Sequence, residues 1–445
     1  MDTVLYLKNR ITDNQRTGKQ GARKRMAPLP MRLFIFAAAL LVLGSTGTER
    51  DSHRSDVLTF QGDRVVSPES LPGDSFLVML DRKTTDSQPS PVAYSIVLRG
   101  IDPVERALFQ DAQSGRWERF DLFRAAMIAE GIRDIELIRA YEARLDALVA
   151  GVKALHGHAT PQGKTRALFE AMHKEILTQP YDLDCTELSK VMQTGRFNCV
   201  SATVLFNCLA EKMGLDVTAL EIPGHALSQV RFADGVTMRI ETTCPTWFDL
   251  QSEQERQMAT LLRIAPAPAV PNPATAQNAV YATPEPAVDI PSDYREISPV
   301  QLVATIYYNR GVDLLAKGQH PEAAAANVKA LYLDKENKQA WTNLLVSLNN
   351  WAINVAPRGQ TVRLYDLAVF LLDQGVALDP TYEKFRANYT FIFHDWIRDL
   401  ALLGRFEDAR KVFALANAEG RVPNDRYLLT LIESVNQEEK RLGVP

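Results

Sequence analysis

The chain has little of what holds small secreted domains together. Four cysteines among 445 residues cannot supply a disulfide framework, so apolar cores must carry the stability. With Cys199 as a free thiol, Cys185, Cys208 and Cys244 can form at most one bridge. Positive charge is also not in excess: 50 Lys and Arg against 54 Asp and Glu give a net charge of -4. The first 32 residues hold eight Lys or Arg against two Asp, which leaves about -10 on everything after them. An acidic body of this kind argues against nucleic acid as the main partner. Metal-ligand groupings are scarce as well. His156 and His158, in LHGHATP, have no nearby acid or cysteine and read as solvated turn residues. Cys185 and Cys244 lack the spacing and histidine partners of a zinc site. No metal and no cofactor is expected.

Apolar residues are plentiful, at 46 % against 23 % charged, enough for at least two cores and two or three domains. Residues 1–47 form a basic N-terminus with a signal peptide or membrane anchor. Leu33 to Leu43 (LFIFAAALLVL) is an eleven-residue apolar run behind Arg23, Lys24, Arg25 and Arg32, followed by small residues from Gly44 to Gly47. It is too short to span a bilayer comfortably and has the layout of an export signal. The alternatives are an uncleaved tether at 33–43 or a true start at Met26 or Met31. Either way the protein is expected to be exported, periplasmic or extracellular, or membrane-anchored.

Residues 61–160 read as mostly helical, with short strands or loops at Phe76 to Leu80 and Ala93 to Leu98. Ile138, Tyr141, Leu145, Leu148, Val152 and Leu155 recur at steps of three and four, the stripe of an amphipathic helix facing a core. In residues 161–260, Leu168, Phe169, Met172 and Ile176 mark a second helix ended by Gln179-Pro180. Cys199 to Gly214 marks a third, with Gly214 as its C-terminal cap. Alternating segments follow at Val217 to Ile222, Leu227 to Phe232 and Val236 to Glu241, with Asp234-Gly235 as a hairpin turn. Helices followed by antiparallel strands give an α+β domain.

Residues 264–292 form a linker. Between Ala265 and Pro291 lie seven prolines and eight alanines with almost no charge, a composition that cannot build a core. Residues 298–441 are all-helical, opening on Ser298-Pro299 as N-cap and first helical residue. Gly311, Gly318, Ala323 and Ala330 occupy the small-residue positions of a tetratricopeptide helix pair, and Gly404, Phe406, Ala409 and Ala416 repeat its second half. Ala368 and Asp379-Pro380 mark a degenerate copy between them. Three copies suffice for a small solenoid, and such a stack is a docking module for a protein partner.

Chemistry concentrates in GRFNCVSATVLFNCLAEKMGLDV, EIPGHAL and VTMRIETT. A cysteine opens a helix, a histidine follows about 26 residues on, and an acid before threonine comes about 16 residues later. This order resembles the transglutaminase-like superfamily of cysteine enzymes over roughly 60 residues, with weaker support upstream in YDLDCTELSKVMQTGRF. The resemblance implies a core of helical bundle plus small antiparallel sheet, with Cys199, His225 and Glu241 as catalytic triad. The third member in that family is usually Asp; here Glu241 stands in its place. Gln193, six residues before Cys199, has the spacing of the oxyanion glutamine in papain-like enzymes, and Asn198 is adjacent to the cysteine.

Cys199 at a helix N-terminus feels the positive end of the helix dipole, which favours the thiolate. Free backbone N–H groups there can hold an oxyanion. His225 would move the proton and Glu241 would orient and stabilise the imidazolium. The hairpin register is readable too. With Ala233, Asp234 and Gly235 as a three-residue loop, Phe232 pairs with Val236 and Leu227 falls opposite Glu241. His225 then shares a face with Glu241 as its diagonal neighbour. Two functions follow: an enzyme acting on peptide or amide bonds through a thioester, or a non-catalytic scaffold that keeps the fold and binds protein partners.

Overall fold

Most helices of the N-terminal half begin on a side chain that satisfies their first N–H groups, which is why their starts are sharp. The computed structural model describes residues 58–61, 76–81, 93–222, 224–250, 294–355, 364–422 and 425–443. The apolar segment at 33–43 and the Pro/Ala-rich linker at 264–292 lie outside the described residues. Asp102 caps α1 (Pro103–Asp111), Asp121 caps α2 (Leu122–Ala129), Asp134 caps α3 (Ile135–His156) and Thr160 caps α4 (Pro161–Glu175). Two shorter steps lead on to α5 (Leu188–Thr194) and α6 (Cys199–Met213). Every residue of α6 from Cys199 to Ala210 is buried. A helix apolar or small on all sides must be central, and α6 packs against α2, α3, α4 and a β-sheet.

The fold is α+β. Strands β1 (Leu58–Gln61), β2 (Phe76–Asp81) and β3 (Ala93–Leu98) form an antiparallel sheet in the order β1-β3-β2. The second sheet holds β4 (Asp216–Ile222), β5 (His225–Arg231), β6 (Thr237–Ile240) and β7 (Arg295–Ile297), in the order β6-β5-β4-β7. Its register matches the one read from the hairpin loop. Ser228 pairs with Ile240 and Arg231 with Thr237, and Phe232 N–H donates to the Val236 carbonyl at 2.8 Å. Gly235 adopts φ +83°, which the turn requires and a side chain would resist. Strand β7 was not foreseen; three residues past the linker carry too little pattern to read.

The stripe of α3 is buried at Ile138, Leu145, Leu148 and Val152, but Leu155 is 82 % exposed, because the last turn runs past the core. On α4, Leu168, Phe169 and Met172 are buried, as is Ile176 just beyond it.

Seven helices complete the chain: α7 (Pro299–Ala316), α8 (His320–Leu333), α9 (Lys338–Val355), α10 (Leu364–Leu378), α11 (Glu383–Leu402), α12 (Phe406–Asn417) and α13 (Arg426–Leu442). Ser298 caps α7 in a reciprocal box with Gln301. Each helix packs on the next. Gly311 lets α7 approach α8 closely: a Cβ there would lie 2.7 Å from Asn327 Nδ2. At Gly375 a Cβ would lie 2.3 Å from the Phe385 ring. Ala323, Ala330, Ala368, Ala409 and Ala416 are all fully buried.

These helices are not a separate appendage. All the described residues belong to one compact unit, Asp51–Pro445, and α7 packs on α2 and α6 while β7 pairs with β4. Glu105 on α1, 5 % exposed, accepts from Tyr307 Oη at 2.8 Å and from Lys329 Nζ at 2.9 Å. Removing one partner of so buried a pair strands the other, a cost of about 3–5 kcal/mol. Arg295 on β7 donates to Glu221 on β4 at 2.5 Å and, through Nη1, to Asp334 after α8 at 2.9 Å.

Candidate active site

The start of α6 is fixed before any chemistry is considered. Asn198 accepts from Ser201 N–H at 3.0 Å, and Ser201 Oγ accepts from Asn198 N–H at 3.0 Å. The Asn198 amide also donates to Thr186 Oγ1 at 2.7 Å and to the Leu183 carbonyl at 3.1 Å, while Ser201 Oγ donates to the Cys185 carbonyl at 2.7 Å. Asn198, the neighbour noted in the sequence, is therefore a structural cap. It ties the helix that carries Cys199 to the segment 183–186. Ala202 N–H reaches the Asn198 carbonyl. Helix geometry leaves the N–H groups of Cys199 and Val200 without an intrahelical acceptor.

His225 is the first residue of β5, whose seat on α6 is set by a buried bond from Ser228 Oγ to Asn207 Oδ1 at 2.6 Å. Glu241 follows the end of β6 and is 7 % exposed. Its Oε2 accepts from His225 Nε2 at 2.6 Å, and its Oε1 accepts from Thr243 N–H at 3.0 Å and Thr243 Oγ1 at 2.5 Å. Burial alone would raise this carboxyl, but the bonds from His225 and Thr243 outweigh it and hold it below its usual range. Since Nε2 faces Glu241, Nδ1 is the nitrogen left for the thiol. Contact with the Cys199 side chain, then the bond to Glu241, lifts His225 to about 10 against the opposing effect of burial. The imidazolium is thus the favoured form at neutral pH.

A second layer, illegible in the sequence, keeps Glu241 in place. The next residue, Thr242, has its hydroxyl 2.9 Å from Thr203 Oγ1 on α6 and its carbonyl 3.1 Å from His173 Nε2 on α4. Burial pushes His173 down to about 4, so it is neutral and donates Nε2–H to that carbonyl. Its ring lies 4.6 Å from Phe169 and 5.9 Å from Phe197.

Tyr181 is the other residue that the sequence did not single out. It forms a parallel bridge with Phe197, Asp182 N–H donates to the Phe197 carbonyl at 2.8 Å, and the Tyr181 and Phe197 rings meet edge-on at 6.2 Å. This docking brings the phenol to the Cys199 side chain and backbone N–H. The only forward signal was its position at the head of YDLDCTELSK, after the break at Gln179-Pro180.

Cys199, His225 and Glu241 are therefore brought together. Gln193 is not among them: it is exposed on the last turn of α5, and none of the site's hydrogen bonds among the described residues reaches it. All four cysteines are free thiols. Burial raises Cys185, and raises Cys208 strongly. Among the described residues no group of three or more His, Cys, Asp or Glu could hold a metal ion, and no helix is long and apolar enough to cross a membrane. No protein-family model matches the chain, and no curated protein matches it.

Proposed function

We propose that the protein is a transglutaminase-like cysteine enzyme that cleaves peptide or amide bonds through a thioester. One observation carries this reading. His225 Nε2 lies 2.6 Å from Glu241 Oε2, and the Cys199 side chain that raises the same imidazole stands at the N-terminus of a fifteen-residue helix. A thiolate there attacks the substrate carbonyl carbon, forming a C–S bond as the carbonyl π pair moves onto oxygen. The oxyanion collapses, the C–N bond breaks, and the His225 imidazolium gives its proton to the departing amine. His225, now neutral, takes a proton from water, which attacks the thioester and releases the acid. Cross-linking would use an amine in place of that water. Hydrolysis is the preferred outcome, since the sequence resembles no accessory domain of the cross-linking enzymes.

The helical stack supports a tetratricopeptide-like solenoid that docks a protein partner or substrate. The close approaches at Gly311 and Gly375 are the small-residue contacts such repeats need. Export to the periplasm or cell exterior, or a membrane tether at 33–43, belongs to the same proposal and rests on the sequence.

The test is a mixed-peptide digest followed by mass spectrometry. New peptide termini should accumulate with the native protein and be absent with Cys199→Ala. Termini that accumulate equally with both would exclude Cys199 as nucleophile. A folded protein that produces none would favour a scaffold that binds partners through its helices.

A further inference from the structure

Catalysis of acyl transfer by a thiolate needs more than a nucleophile and a base, because negative charge moves onto the substrate oxygen in the transition state. One donor for it is the Cys199 backbone N–H, which has no intrahelical acceptor at the first position of α6. A second must reach the same point, next to both that N–H and the sulfur. Gln193 does not supply it.

Only one phenol is docked beside these atoms in the described site. Tyr181 is held two residues from Cys199 by its bridge to Phe197, by the 2.8 Å bond from Asp182 N–H to the Phe197 carbonyl, and by the edge-on ring contact with Phe197. Its hydroxyl lies beside the Cys199 side chain and the Cys199 N–H, next to the point that the carbonyl oxygen of a bound acyl group would reach. The residue is 47 % exposed, and its O–H hydrogen can rotate toward an incoming oxygen while the backbone bridge keeps the ring anchored.

We propose that Tyr181 is the second oxyanion donor, its O–H paired with the Cys199 N–H. This rests on the reading of Cys199 as the nucleophile. In the resting site the Tyr181 oxygen lies beside the Cys199 N–H. When the thiolate attacks, the C–S bond forms, the carbonyl π pair moves to oxygen, and that oxygen takes both donors. When the leaving group departs with the bonding pair, the C=O bond reforms and both donors are released. Burial, and then the Cys199 thiol beside it, push the phenol well above its usual range, so it keeps the proton it must donate.

Two probes separate this role from the reactivity of the thiol. p-Nitrophenyl acetate acylates through a tetrahedral oxyanion, whereas iodoacetamide alkylates sulfur by displacement at carbon with no oxyanion. Tyr181→Phe keeps the ring on Phe197 and removes only the hydroxyl. The full-length variant, checked for an unchanged thermal melt, should lose about 10²- to 10³-fold in the rate of Cys199 acetylation. Its rate with iodoacetamide should stay within about threefold of native, since that reaction makes no use of the donor. An unchanged acetylation rate would overturn the proposal, and so would an equal fall with both probes, which would make Tyr181 a support for the thiolate. If native protein reacts at Cys199 with neither probe, the nucleophile reading itself fails and Tyr181 falls with it.

Discussion

His225 and Glu241 stand 16 residues apart in the chain, yet His225 Nε2 lies 2.6 Å from Glu241 Oε2. The diagonal placement across the β5–β6 hairpin accounts for it. The longer arm of Glu, where the resembling family usually has Asp, spans the diagonal and still leaves Oε1 for Thr243. Once a substrate is in hand, single substitutions at the three residues of the proposed triad should give unequal losses. Cys199→Ala should abolish turnover. His225→Ala should leave a trace that rises with pH, because a helix-end thiolate can still attack unaided. Glu241→Gln keeps the shape and should lose less, about 10² to 10⁴ in kcat. Steady-state rates from about pH 6 to pH 9 check the order; equal losses at Glu241 and Cys199 would contradict it.

The same pair makes stability depend on pH with a definite sign. His225 is raised from 6.5 to about 10, so its contribution is full below 6.5 and lost as pH rises through 10. Glu241 is lowered from 4.5, so its contribution is present above 4.5 and lost in acid. The two overlap fully between 4.5 and 6.5. Urea unfolding of the native protein and Glu241→Gln should differ most in that window and converge toward both extremes. A difference that stays flat from about pH 5 to pH 9 would show that the pair does not form.

Much of this site was legible because its parts are local. The three-residue loop at Ala233 to Gly235 fixes the hairpin register, and the register alone puts His225 on the face of Glu241. Asn198, Cys199 and Gly214 mark the two ends of α6 by cap chemistry. Tyr181 was not legible because its place depends on a bridge to Phe197, sixteen positions away with no periodic pattern between. His173 and Thr203 act through the backbone and hydroxyl of Thr242, contacts that only tertiary packing creates. Gln193 misled because spacing along the chain says nothing of the direction in which a short helix points its last turn.

The cap network makes the C-terminal helices part of the site's support. Asn309 on α7 donates to Thr186 Oγ1 at 3.2 Å, the same hydroxyl that accepts from Asn198 at 2.7 Å. Asn198→Ala should cost about 0.5–2 kcal/mol from the lost cap, with about 1–3 kcal/mol more for the buried groups left unpaired. It should also slow the reaction of Cys199 with iodoacetamide. Asn309→Ala should have a smaller effect in the same direction on both readouts. Denaturant melts and alkylation rates measured on the same samples decide the matter; a destabilised Asn198→Ala with native Cys199 reactivity would uncouple the cap from the thiol.

The most direct test of the proposed triad is competition among the four thiols of the native protein. With iodoacetamide limiting at pH 7, peptide mapping should find label at Cys199 at least about tenfold ahead of Cys244, and further ahead of Cys185 and Cys208, whose thiols burial keeps protonated. Cys244 is the informative competitor because it is the more accessible of the two, half-buried where Cys199 is 7 % exposed. Preference for Cys199, lost in His225→Ala, is the result predicted here. Labelling of Cys244 first, or a pattern unchanged by His225→Ala, would contradict it.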